Sequence, residues 1–272
     1  MSGRSTRPNV AATAHQSPVA GVQSKISLTL LPDGRFALPR EGIKVPTTHI
    51  LKVPERRYGR EARLEESSAL LAAAVGLPVS IPTAMSLDGI DALLIERFDR
   101  HTANSVVTRL HQEDFAQVLG LPSELKYRRK GKPGRQFDVE AAIWILEQTA
   151  DPEKARIDFL LATLFNLCIG NADNHAKNHA LLYTAGSRHS FAPLHDLTPI
   201  RLDDRYTHEL SYKLGEAAYF DELTGEDIAT FVGQCGVEDI QRTLFRCIGR
   251  MKFGCWGTDA SVWSPRCMRA PI

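Results

Sequence analysis

Asp173, Asn178, Asp196 and Lys52 are the residues of this 272-residue chain whose types and spacing could do chemistry. The segment Gly170-Asn171-Ala172-Asp173-Asn174-His175-Ala176-Lys177-Asn178 contains D-x-x-x-x-N directly after an apolar run. In phosphoryl transfer an aspartate so placed orients the attacking hydroxyl and takes its proton, while an asparagine five residues later offers a neutral oxygen to Mg²⁺. Asp196, in His195-Asp196-Leu197, follows an intervening hairpin pattern, where a carboxylate can chelate a metal that bridges nucleotide phosphates. Lys52 stands between Leu51 and Val53 on an apolar strand pattern. An ammonium group there can pair with the α- and β-phosphates of a nucleotide and be held by a glutamate on the following helix. Glu65 is the better-placed glutamate, with Glu66 beside it. Each residue alone has a plainer reading, Asp173 and Asn178 as turn caps and Lys52 as an edge-strand lysine turned to solvent.

No G-x-G-x-x-G phosphate loop is present, which counts against an ordinary eukaryotic-type kinase. Ala20-Gly21-Val22-Gln23-Ser24-Lys25 precedes the first strand instead, and offers backbone N–H groups around Gly21 and the Lys25 cation to phosphates. A competing chemistry is metal-dependent hydrolysis, since Asp173, His175, His179, His195 and Asp196 form a dense set of candidate ligands, with His175 and His179 at i, i+4. Against it, HAKNH lacks the glutamate that H-E-x-x-H uses as general base, and the glycine and asparagines of the loop disfavour a helix.

The elements that must position these residues divide into two styles. Lys25 to Pro39 reads as a hairpin around Asp33-Gly34, followed by a strand at 47–53, a helix at 61–75 stopped by Gly76 and Pro78, and two strands flanking Asp88-Gly89. Beyond Arg100 the pattern predicts helices over 111–120, 137–149 and 152–170, the last with Ile157, Leu160, Leu161, Leu164 and Leu167 as its core stripe. Short strands are expected around 181–183 and 191–194, and Thr224 with Asp227 marks a capping box. The expected organisation is a disordered lead-in over 1–17, a small β-rich lobe over 18–100, a helical lobe over 101–245 and an atypical tail over 246–272. This α+β order is that of a two-lobed, protein-kinase-like fold.

Composition excludes several classes. With 43% hydrophobic residues the chain can bury a sizeable core. Its longest apolar stretch, 69–79, contains Gly76 and Pro78 and is too short to span a bilayer. The first sixteen residues lack the apolar segment of a secretory signal, and the five cysteines form no C-x-x-C pair; a cytoplasmic protein is expected. The net charge is only +1, but residues 1–60 carry ten Lys/Arg against three Asp/Glu, and residues 126–135 carry six Lys/Arg and no acid. Such clusters favour phosphate or acidic partners, or are simply solvated basic loops.

AGVQSKISL, THILKVP, AAAVGLPV, ERFDR, QEDFAQVLGLPSELKY, GNADNHAKN and APLHDL, in that order between Val19 and Glu222, together resemble the HipA family of bacterial toxin serine/threonine kinases. The resemblance implies ATP and Mg²⁺ as cofactors, with Lys52 on the nucleotide phosphates, Asp173 as catalytic base, and Asn178 and Asp196 on the metal. It further implies that Glu96 and Phe98 of ERFDR bind adenine at the lobe connector, with Gln112 close to the nucleotide and Lys177 near the transferred phosphate. By the same resemblance the substrate is a protein, an aminoacyl-tRNA synthetase among the candidates. An antitoxin is the expected partner, DNA is reached only through it, and autophosphorylation falls on Ser17 or Ser24. Family members normally carry a further N-terminal subdomain before AGVQSK, where about twenty residues stand here; the split relatives, which supply it as a separate small protein, compare best. Three alternatives stay open: a small-molecule phosphotransferase, a catalytically silent remnant that binds an antitoxin, and the hydrolase above.

Overall fold

The computed structural model describes residues 23–39, 46–54, 60–103, 106–184 and 188–237. Ser17, Gly21, the lead-in over 1–17 and the tail over 246–272 lie outside these residues. The first lobe is built on a five-stranded antiparallel sheet in the order β2-β1-β3-β5-β4. Its strands are β1 (Gln23–Leu30), β2 (Phe36–Ala37), β3 (His49–Pro54), β4 (Thr83–Leu87) and β5 (Ile90–Glu96). The β1–β3 register sets Lys25 directly opposite Lys52. Like charges facing one another across a ladder destabilise it, so this pair requires anions nearby. Helix α1 (Arg60–Ala74) packs on the sheet and buries Ala62, Glu65, Ser68, Ala69 and Ala72 along one stripe. It ends at Gly76, whose φ of 80° suits glycine at a C′ position. A carboxylate in the middle of that stripe is sustained only by a partner.

Strands β6 (Arg100–Ala103) and β7 (Val106–Arg109) form a hairpin that the sequence pattern did not disclose. Residues 111–120 correct the expected helix. His111–Asp114 form strand β8, paired with β9 (Ala180–Thr184), and only Phe115–Val118 are helical, as α2. The cause is Asp114, whose side chain accepts from Gln117 N while the Gln117 side chain returns to Asp114 N, so the helix starts there and not before.

The second lobe packs α3 (Val139–Leu146), α4 (Pro152–Ile169) and α5 (Gly225–Gln234), capped by Asp138, Asp151 and Thr224, around Phe115, Phe137, Phe159 and Phe231. The buried stripe of α4 runs through Phe159, Ala162, Thr163, Phe165 and Asn166, rotated from the expected leucine stripe, of which only Leu160 is fully buried. Strand β10 (Arg188–Phe191) pairs with β9, and β11 (Glu209–Leu214) with β12 (Ala217–Tyr219). Among the described residues no helix is long and apolar enough to cross a membrane.

Candidate active site

Lys52 Nζ sits 2.7 and 3.0 Å from the two Glu65 carboxylate oxygens and 2.6 Å from Asp196 Oδ1. Strand β3 brings the lysine, the buried stripe of α1 the glutamate, and a segment beyond β10 the aspartate. Burial alone would favour a neutral amine at Lys52, but the Asp196 and Glu65 carboxylates outweigh it and hold the ammonium above its usual range. Burial pushes the Glu65 carboxyl up against the pull of Lys52. Burial also works against ionisation of Asp196, yet the Lys52 and Lys25 charges hold its carboxyl well below the usual carboxylate range. The Asp196 side chain keeps 33% of its surface exposed, against 4% for Glu65, so Asp196 is the carboxylate that a ligand can reach. Its backbone lies at φ 60°, in the left-handed region, a strained conformation that Asp tolerates better than most residues.

These residues line a cleft between the two lobes together with Lys25, Glu96, Phe98, Gln112 and His195. Glu96 ends β5, and Phe98 follows it with its ring 5.4 Å from that of His195. Arg97 and Arg100 both grip Asp99, which fixes the backbone that carries Phe98. Two features of the cleft lack partners among the described residues. Gln112 Oε1 is buried without a hydrogen bond, and Lys25 has no ion-pair partner among the described residues. A ligand bearing both a donor and phosphate anions satisfies both.

The loop 171–178 lies beside this cleft. Gly170 ends α4 at φ 74°, and Asn171 Nδ2 then bonds Asn166 Oδ1 at 2.7 Å while its Oδ1 accepts from Asp173 N at 3.1 Å. Asn178 Nδ2 donates to the Asp173 carbonyl at 2.8 Å, which leaves its neutral Oδ1 for a cation. Burial pushes the Asp173 carboxyl up, and the Tyr127 hydrogen bond and Lys126 charge pull it back only part of the way. Lys177 Nζ pairs with Asp114 Oδ2 at 2.6 Å. Lys126 donates to His175 Nε2 at 2.7 Å, and Tyr127 to Asp173 Oδ1 at 2.6 Å.

The described site residues thus fall in two connected groups, the cleft around Lys52 and the loop around Asp173. Ser24 is exposed on β1. Glu66 is structural, accepting from Ala84 N on β4 at 2.9 Å. His179 is fully buried, ringed by Phe115, Phe159 and Phe191, so the i, i+4 histidine pair does not face one metal. Sequence reasoning missed Tyr127, Lys126, Asn171 and Asp114. The basic character and single tyrosine of 126–135 were visible, but nothing in the spacing ties Lys126 and Tyr127 to a loop 46 residues on.

The family described as HipA-like C-terminal domain matches residues 17–251. The chain belongs to that family. It is 37% identical over 220 residues to a Sinorhizobium fredii protein named "Putative kinase Y4mE", covering 80% of this chain and 51% of that one. It is 28% identical over 228 residues to the serine/threonine-protein kinase toxin HipA of Shewanella oneidensis, again over 80% of this chain and 51% of the relative. The chain therefore spans about half the length of the curated relatives it matches. The solved complex of Shewanella oneidensis HipA with HipB and operator DNA superposes with a TM-score of 0.73, at 25% identity, over 90% of this chain and 58% of that one. The fold is the two-lobed, kinase-like α+β fold expected from the sequence.

Proposed function

We propose that this HipA-like domain transfers the γ-phosphate of ATP to a serine or threonine hydroxyl of a protein. The observation that carries the proposal is Lys52 shared between Glu65 and Asp196 at the back of a cleft, with the Asp173–Asn178 loop beside it. Lys52 and Lys25 hold the phosphates, Gly21 contributes backbone N–H groups, Glu96 and Phe98 bind the adenine, and Gln112 Oε1 takes a donor from the nucleotide. Asp196 and Asn178 would hold Mg²⁺, which would supply positive charge to offset that of the phosphates. Asp173 takes the proton of the acceptor hydroxyl, its raised carboxyl pKa making it a better base. Lys177, which pairs with Asp114 at 2.6 Å, stabilises the transferred phosphate in this reading once it leaves that partner.

The relatives support a toxin kinase that acts with an antitoxin and, through it, at DNA, since the superposed HipA was solved with HipB and operator DNA. An aminoacyl-tRNA synthetase as target, Ser17 or Ser24 as self-phosphorylation sites, and a separate N-terminal-subdomain protein as further partner belong to the same proposal. Calorimetry tests the nucleotide assignment. Asp196→Ala is expected to weaken Mg²⁺-ATP far more than metal-free adenosine, Lys52→Ala to do the same, and Phe98→Ala to weaken adenosine itself. An Asp196→Ala protein that binds Mg²⁺-ATP like wild type would remove Asp196 from the metal site.

A further inference from the structure

Tyr127 belongs to neither the nucleotide cleft nor the D-x-x-x-x-N loop, yet its hydroxyl donates to Asp173 Oδ1 at 2.6 Å. The ring is fixed from several directions. The Arg129 guanidinium lies 4.1 Å from its centroid, Lys126 Nζ 4.9 Å, and the His175 ring meets it edge-on at 5.1 Å. Each of these groups is tied down in turn. Arg129 pairs with Glu209 of β11 at 3.3 Å, Lys126 with His175 Nε2 at 2.7 Å, and the Lys126 carbonyl accepts from Ala176 N at 3.1 Å. Residues 126–129 are therefore clamped onto the loop that carries Asp173. On Asp173 itself, Oδ1 is taken by Tyr127 and the backbone N by Asn171, while Oδ2 has no hydrogen-bond partner among the described residues.

A carboxylate turns readily about its last torsion, which is broad and two-fold. One anchored oxygen removes that freedom and gives the other a fixed direction. We infer that Tyr127 is a positioning residue for Asp173: by holding Oδ1 it sets the plane of the carboxylate and leaves Oδ2 to meet the acceptor hydroxyl. The inference rests on the phosphotransfer function proposed above. In that step the acceptor oxygen forms a bond to the γ-phosphorus, its proton passes to Oδ2, and the bond from the γ-phosphorus to the bridging oxygen breaks, releasing ADP. Tyr127 stays a donor throughout, because burial and the Asp173 charge push its phenol above the usual range. A residue that merely plugged the acceptor position would have to leave before each turnover, whereas this ring is held by three neighbours that are themselves anchored.

The test is transfer of labelled phosphate from ATP to protein in a bacterial lysate, at saturating Mg²⁺-ATP and across an ATP titration. It uses the full chain as wild type, Tyr127→Phe, Tyr127→Ala and Asp173→Asn. Tyr127→Phe keeps the ring and its cation contacts and loses only the hydroxyl. The expected result is a rate at saturating ATP lowered ~10-fold or more, the scale of a mis-set catalytic group, with the KM for ATP unchanged and the protein still fully folded at the assay temperature. A Tyr127→Phe rate equal to or above wild type, even with Tyr127→Ala impaired, overturns the inference and leaves the ring a packing element or a plug. A fall in rate matched by weaker ATP affinity, or by a protein partly unfolded at the assay temperature, overturns it as well. Wild-type protein without Asp173-dependent transfer overturns the phosphotransfer function itself, and the role of Tyr127 with it.

Discussion

The Lys52 corner keeps its carboxylates charged by pairing them with an ammonium group 2.6–3.0 Å from three of their oxygens. The loop of Asp173 is held mainly by uncharged groups, with the Tyr127 hydroxyl and the Asn171 and Asn178 amides donating and the Tyr212 hydroxyl accepting from Asn174 Nδ2. The first arrangement concentrates its energy in one residue, whose loss strands two anions in a partly closed cleft. The second spreads it over many neutral bonds, each worth about 1 kcal/mol net, and spends its specificity on direction. Under the proposed function the difference has a reason, since a binding corner needs charge above all, whereas a base that must meet one hydroxyl needs aim.

Lys52→Ala is the largest test of that contrast. Removing one member of a buried ion pair costs about 3–5 kcal/mol because the partner is left uncompensated, and here Glu65 is the partner that cannot reach water. Denaturant unfolding without nucleotide should show a loss of that size. The double variant Lys52→Met/Glu65→Leu should recover most of it, which would identify the cost as stranded charge and not lost packing.

Tyr212→Phe tests the other region. Its hydroxyl joins Thr163 Oγ1 at 2.9 Å to Asn174 Nδ2 at 3.0 Å, both buried. Stranding these groups should cost about 1–3 kcal/mol, and hydrogen exchange over 171–178 should rise. A loss as large as that of Lys52→Ala would erase the contrast between the regions.

A pH titration gives a smaller effect per unit. Burial in the phenylalanine cage pushes the His179 imidazole down to about 3, while the unfolded chain takes up the same proton near pH 6.5. Between those values the unfolded state binds more protons. The contribution of His179 is thus complete above about pH 6.5 and shrinks as pH falls, by up to ~1.4 kcal/mol per unit. His179→Leu should flatten the slope of urea-unfolding stability between about pH 6 and 4. At the bottom of the scale, Asp158→Ala breaks only an exposed i, i+4 pair with Lys154 on α4 and should cost under about 0.5 kcal/mol by the same unfolding assay.

The two regions also differed in how much of them could be read in advance. Lys52 and Glu65 are conspicuous because a charge on an apolar strand and another on a helix stripe each demand a partner, so the sequence pointed to both and to their pairing. Asp196 joined them through its spacing from the D-x-x-x-x-N segment. Tyr127, Lys126 and Asp114 carry no such mark. Their contacts with Asp173, His175 and Lys177 span 46 to 63 residues, and a hydroxyl or an ion pair at that separation leaves no period in the chain. The strand β8 was read as helix for a related reason. Residues 111–114 owe their conformation to pairing with β9, a partner some seventy residues on, whereas the helical signal of the adjoining 115–118 is local.

The proposed role of Asp173 as the base of a phosphoryl transfer stands or falls with Asp173→Asn. Asn is nearly isosteric, the Tyr127 hydroxyl can still donate to its carbonyl oxygen, and Asp196 and Asn178 remain in place. The substituted chain is therefore expected to unfold at the wild-type temperature and to bind Mg²⁺-ATP with wild-type affinity. Transfer of labelled phosphate from ATP to protein in a lysate should fall by roughly 10²-fold or more, the scale of a positioned general base. Undiminished transfer by a well-folded Asp173→Asn protein would contradict the account, since the base would then lie elsewhere.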